Sequence, residues 1–112
     1  ARHPRLAQTK ITVLCDVNNP LAGPTGAAYV YGPQKGATPQ QVYALNEGLI
    51  HFQHLALQLF GTEVDFPGAG AAGGLGASLR LFTDARFRPG IEYLGELLEL
   101  ETHIKACDWV IT

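Results

Sequence analysis

Asp16 stands at the end of an apolar, β-branched run and is followed by Val17, Asn18, Asn19 and Pro20. A carboxylate at the carboxyl end of a strand can hold a divalent cation or accept a proton from a substrate hydroxyl. In open α/β sheets, ligands bind in the crevice outside those strand ends. Asp16, Asn18 and Asn19 are equally suited to bonding their own backbone and shaping a turn. Lys35 lies within Gly32-Pro33-Gln34-Lys35-Gly36. There the glycines open the backbone to an anion, and the ammonium supplies a point charge for phosphate or carboxylate. This is not a P-loop, because its spacing and its following Ser or Thr are absent; a surface lysine on a turn is the plain alternative. Gly68–Gly73 satisfies G-x-G-x-x-G, inside a stretch to Gly76 with five glycines in nine residues. Only Thr62–Phe66 precedes it, too short to establish a strand, and Pro67 interrupts. The helix after it has a natural anion site at its N-terminus, whereas close helix–strand packing would demand the same glycines.

Other side chains build no site. His51 and His54 are three apart on a helical stretch, without a visible third metal ligand. His3 and His103 have no evident partners, and Trp109 reads as packing. Cys15 and Cys107 each end an apolar run and read as buried cytosolic thiols rather than a disulfide.

The elements that must position these groups follow from periodicity. Lys10–Val17, with Ile11, Val13 and Cys15 alternating, predicts a short buried strand. Residues 18–37 form a long loop with three prolines and four glycines, and one short strand is expected at Ala27–Tyr31. Thr38-Pro39-Gln40-Gln41 has the N-cap hydroxyl, first-turn proline and glutamine of a capping box. Val42, Leu45, Leu49, Phe52, Ala56 and Leu59 share one face, so residues 39–60 are helix, stopped by Gly61. A glycine-rich entry leads to a helix ending near 83, with Leu75, Leu79 and Phe82 on one face. Pro89-Gly90 starts another short helix with Ile91, Leu94, Leu97 and Leu98 on one face. A further turn or two lies within Leu100–Cys107, and Trp109–Ile111 reads as a strand. Strands separated by helices imply an α/β fold with a partly parallel sheet.

Composition narrows the function classes. The chain has 112 residues, one domain's worth, with 46% hydrophobic and 16% charged residues and a net charge of −2. That balance excludes an electrostatic nucleic-acid binder and opposes disorder. No run approaches the ~20 apolar residues of a membrane span. The chain contains no methionine and ends on the strand-like Asp108–Thr112, so it reads as a piece of a longer protein.

These signals also occur in a recognisable order. Cys15-Asp16-Val17-Asn18-Asn19-Pro20-Leu21-Ala22-Gly23, Gly26-Ala27 and Tyr31-Gly32-Pro33-Gln34-Lys35-Gly36-Ala37 resemble the corresponding region of bacterial ATP-dependent glycerate kinases. So do Pro67–Gly76 and Arg88-Pro89-Gly90-Ile91-Glu92, while Asp108–Thr112 is similar to a strand leading into a Gly-Glu-Gly segment. The resemblance implies an α/β enzyme of two domains, one Rossmann-like, with the active site in the cleft between them. Residues 1–112 would be part of one domain, and 108–112 the first strand returning into the other. It further implies transfer of the ATP γ-phosphoryl group to glycerate with Mg²⁺, in a cytoplasmic setting, with no membrane or nucleic-acid partner and with homo-oligomerisation left open. On that reading Asp16 holds Mg²⁺ or orients the attacking hydroxyl, and Lys35 stabilises the substrate carboxylate or the moving phosphoryl group. Asn18, Asn19 and Gln34 bind substrate or fix the loop; Gly68, Gly70, Gly73 and Gly74 present amides to a phosphate. The competing expectations are a non-catalytic scaffold or anion-binding module, inactivity of the segment alone, and a related kinase for another small hydroxy acid.

Overall fold

The computed structural model describes residues 3–111. Thr112, the last residue of the segment Asp108–Thr112, lies outside the described residues. After a 3-10 turn at Pro4–Gln8, the chain enters β1 (Thr12–Leu14). It continues through α1 (Ala27–Tyr31), α2 (Pro39–Phe60), α3 (Leu75–Phe82), β2 (Arg86–Arg88), α4 (Gly90–Leu97) and α5 (Leu100–Lys105). The fold is α/β, and β1 and β2 pair in parallel with Val13 opposite Phe87.

α2 has the bounds its local signals dictate. Thr38 accepts from the Gln41 amide at 3.3 Å, and the Gln41 side chain accepts from the Thr38 amide at 2.8 Å. Gly61 closes the helix at φ 63°. Its apolar stripe is buried in part. Val42 and Ala56 are in the core and Leu49 and Phe52 pack on it, whereas Leu45 and Leu59 are exposed. Asn46, a position left out of that stripe, is buried at 6% exposure, with its Oδ1 accepting from the Gly23 amide at 2.8 Å.

Several expectations need correction. Ala27–Tyr31 is helix, not strand. An unbroken apolar run carries no period that separates the two, and Gly26 starts the helix because a β-carbon there would fall 2.4 Å from Ala22 backbone. The first strand shrinks to three residues because β2 ends at Arg88, where Pro89, which has no N–H, follows and α4 turns away. β2 itself was hidden in the short Arg86-Phe87-Arg88 alternation. Trp109–Ile111 forms no strand; among the described residues nothing pairs with it, and Trp109 is 88% exposed. Cys15 is half-buried and Cys107 exposed, both free thiols.

The core joins Leu21, Ala56, Val64, Ala69, Ala77 and Leu81, with Leu49, Phe52 and Phe66 packed against it. Small residues dominate, so the elements approach closely. The molecule is a plate of 54 × 38 × 19 Å with a radius of gyration of 17.7 Å. A compact domain of this length has about 13 Å. The plate leaves Leu57, Leu59, Phe60, Leu97 and Leu98 more than half exposed.

Candidate functional site

The loop after β1 lies against the glycine-rich segment before α3, and backbone carbonyls hold the two together. The Asn19 carbonyl accepts from both the Gly68 amide (3.2 Å) and the Gly70 amide (3.0 Å). Gly68 has φ 98°, and a β-carbon there would meet Cys15 Sγ at 3.0 Å. At Gly70 a β-carbon would sit 2.2 Å from the Pro20 carbonyl oxygen, so no other residue fits without displacement. The Gly73 and Gly74 amides donate to the carbonyls of Gly70 and Ala71. All four amides assigned to a phosphate from the sequence are thus donated within the fold, and the contacts are those of close packing.

Asn19 is equally engaged. Its Nδ2 donates to the Thr25 carbonyl at 3.0 Å, and its Oδ1 accepts from Tyr31 Oη at 2.9 Å. The side chain therefore ties the loop to α1. Two residues on, Asp65 Oδ1 anchors Leu21 by accepting from its amide at 2.8 Å. Asn18 and Gln34 are exposed.

Asp16 stands at the carboxyl end of β1, exposed, and reaches across to α4. Its Oδ1 accepts from the Gly90 amide at 2.7 Å. The negative charge thereby meets the positive end of that helix. A β-carbon at Gly90 would lie 2.6 Å from Asp16 Oδ2, so a larger residue there would push the carboxylate aside. The sequence suggested a local turn bond for Asp16; the acceptor role is real but serves a residue 74 positions away. Beside it, Arg88 donates through both Nη atoms to Glu96 at 2.9 and 2.6 Å and lies 5.3 Å from the Tyr93 ring centre. The hydrogen bond from Arg88 holds the Glu96 carboxyl below its ordinary range, and the bond to Glu96 raises the guanidinium further.

Lys35 ends a 3-10 turn, Pro33–Lys35, closed by Gly36 at φ 88°. It borders two adjoining clefts, one between the 32–37 turn and α2 and a narrower one between α1 and α2, neither of which includes Asp16. The narrower, about 370 Å³, is walled by Ala27, Ala28, Gly32, Ala44 and Gly48, with Tyr31 and Leu49 nearby. Tyr31 thus links the Lys35 side to the Asp16 side through Asn19. Neither Tyr31 nor Gly48 was singled out from the sequence; a glycine inside a strongly periodic helix was the available signal. His51 and His54 are exposed, and among the described residues no three His, Cys, Asp or Glu side chains gather as a metal site.

The chain matches the glycerate kinase family across residues 1–112. It is 50% identical over 110 residues to a glycerate kinase of Halalkalibacterium halodurans, covering 97% of this chain and 29% of that protein. To glycerate 2-kinase of Escherichia coli K12 it is 46% identical over 110 residues, with the same 97% and 29% coverage. Among solved structures, a Salmonella typhimurium LT2 protein described as glycerate kinase 2 superposes with a TM-score of 0.80 at 46% identity. That match covers 88% of this chain and 26% of the other. The chain therefore spans less than a third of the length of these relatives.

Proposed function

The chain belongs to the glycerate kinase family, and we propose that it forms part of an enzyme transferring the γ-phosphoryl group of ATP to a hydroxyl of glycerate. The observation that carries this reading is a family match over the whole chain, with Asp16 fixed at the carboxyl end of a parallel strand. The substrate oxygen forms a bond to the γ-phosphorus, the bond from that phosphorus to the β,γ-bridging oxygen breaks, and ADP leaves. The proton of the attacking hydroxyl passes to a base, for which Asp16 Oδ2 is the candidate, since Oδ1 is held by the Gly90 amide. Such reactions need positioning and charge neutralisation more than covalent chemistry. Lys35, a compact cation, is the candidate for neutralising the substrate carboxylate or the transferring group.

Magnesium in phosphotransfer sites is held by one or two carboxylates, with phosphate oxygens and water completing the shell. As the alternative to serving as base, the uncommitted Oδ2 of Asp16 would fit that donor set. When bound, the ion would shield the nucleotide phosphates. For Asn19 and for Gly68, Gly70, Gly73 and Gly74, the engaged groups favour a framework role: they hold the Asp16 loop in place. Asn18 and Gln34 remain candidates for substrate contact. Within the enzyme, Asp108–Ile111 would pair with a strand outside this chain, returning towards a second domain. Among the described residues no helix is long and apolar enough to cross a membrane. A cytoplasmic setting is part of the same proposal.

The test uses a chain of full family length. Glycerate-dependent ADP formation is expected to require Mg²⁺. Asp16→Asn keeps an acceptor for the Gly90 amide while removing the base, so kcat should fall by about 10²-fold or more with the fold intact. Lys35→Ala should lower it as well. Full activity in Asp16→Asn would overturn the assignment.

A further inference from the structure

α2 carries Gly48 in the middle of its 22 residues, and the surrounding fold supplies no reason for it. A glycine inside a helix costs about 1 kcal/mol relative to alanine. Eleven of the other twelve glycines have such a reason, the exception being Gly95 in α4, where a β-carbon would meet only Leu100 side-chain atoms at 3.9 and 4.0 Å. Gly26, Gly32, Gly70, Gly76 and Gly90 lie where a β-carbon would come within 2.6 Å of another atom. Six more have positive φ. At Gly48 a β-carbon would meet nothing within 4 Å, in a helical segment. What it would enter is the cleft of about 370 Å³ between α1 and α2.

That cleft has a distinct chemistry. Its walls are small or apolar, Ala27, Ala28, Gly32, Ala44 and Leu45 among them, and no acidic side chain lines it. Lys35 stands exposed at its rim and has no ion-pair partner among the described residues. The result is a slot with carbon walls and a cation at one edge. Glycerate, with a hydroxyl or carboxylate on every carbon, would leave its polar groups unpaired against such walls. A flat ring bearing phosphates meets both features, because its faces bury against carbon while its charge reaches the ammonium.

We propose that this cleft receives the heteroaromatic base of the nucleotide over Gly48, with Lys35 on the phosphate side. The assignment rests on the phosphotransfer reading above and places Lys35 with the nucleotide rather than with the carboxylate of the acceptor. Glycine at 48 is then retained because the ligand, and not the protein, fills the space.

The experiment compares wild type, Gly48→Ala, Gly48→Leu and Lys35→Gln in a chain of full family length. Binding of ADP and of adenosine is measured by calorimetry, and melting without nucleotide alongside. Gly48→Ala is expected to melt a few degrees higher, since helix propensity improves. It should bind ADP about tenfold more weakly, as one added methyl group does in a close-fitting slot. Gly48→Leu should abolish ADP binding with the far-UV spectrum unchanged. Lys35→Gln should weaken ADP and leave adenosine as it was. Unchanged ADP affinity in both Gly48 variants would overturn the proposal. So would a lower melting temperature in Gly48→Ala, which would mean that protein fills the cleft. If the wild type binds ADP with this pattern yet forms none from ATP and glycerate, the acceptor assignment falls and the cleft stands. A wild type that binds no ADP overturns the nucleotide site itself.

Discussion

Replacing Gly70 by alanine tests whether the glycine-rich segment is there to be packed upon. The new methyl carbon would start 2.2 Å from the Pro20 carbonyl oxygen, about 0.8 Å inside the 3.0 Å that real contacts respect. Both neighbours are backbone, so neither can rotate away. The segment must retreat, and retreat stretches the Gly70 amide bond to the Asn19 carbonyl, now 3.0 Å, together with the Gly68 bond of 3.2 Å to the same oxygen. Overpacking of this kind costs about 1–3 kcal/mol, and a weakened hydrogen bond adds about 0.5–1.5 kcal/mol. Reduced freedom of the unfolded chain returns about 0.4–1 kcal/mol. The net expectation is a loss centred on about 2 kcal/mol, or about 8 °C in melting temperature for a chain of this size. Urea unfolding followed by far-UV circular dichroism measures the total. Amide exchange at Gly68 and Gly70 locates it, and both amides should lose protection together. A variant within about 0.5 kcal/mol of wild type, inside the ordinary range for surface changes, would refute the packing argument and restore those amides as candidates for an external anion. Gly48→Ala is the internal control, the same substitution with the opposite expected sign.

Asn46→Ala should cost about 1 kcal/mol or more, because the half-buried Gly23 amide loses its acceptor. Asn46→Asp, which preserves an oxygen there, should retain more stability in the same urea titration. The Arg88–Glu96 pair should make a small, acid-labile contribution. Glu96 has a lowered folded pKa, so its stabilisation is present above the ordinary carboxylate range and fades as pH falls through the folded value. Melting followed from neutral to acid pH should show that fading in wild type and not in Glu96→Gln, and added salt should shrink the difference. Identical pH profiles would remove the pair from the account.

Local signals carried α2 completely. Thr38, Pro39, Gln41 and Gly61 act on residues within four positions, so capping box, start and stop were legible from spacing, and the helix occupies Pro39–Phe60 as expected. The same reasoning was blind to α1, whose apolar run fits either period, and to β2, three residues whose ladder exists only because Thr12–Leu14 lies beside them. Asp16 was legible as a functional candidate by its place after a strand. That its Oδ1 would be committed to Gly90 was not.

By itself the sequence determined the residue types, the helices with strong caps, the family resemblance and the glycines that some close contact would demand. Tertiary structure alone decided which contact each glycine serves. It set Gly70 against Pro20, Gly90 against Asp16 and Gly48 against open space. It also used the phosphate-like amides within the fold and put Lys35 on a cleft that excludes Asp16. The physical reason is one of range. Caps and periodicity are interactions between neighbours along the chain. The site depends on hydrogen bonds joining residues 44 and 74 positions apart, which have no trace in spacing.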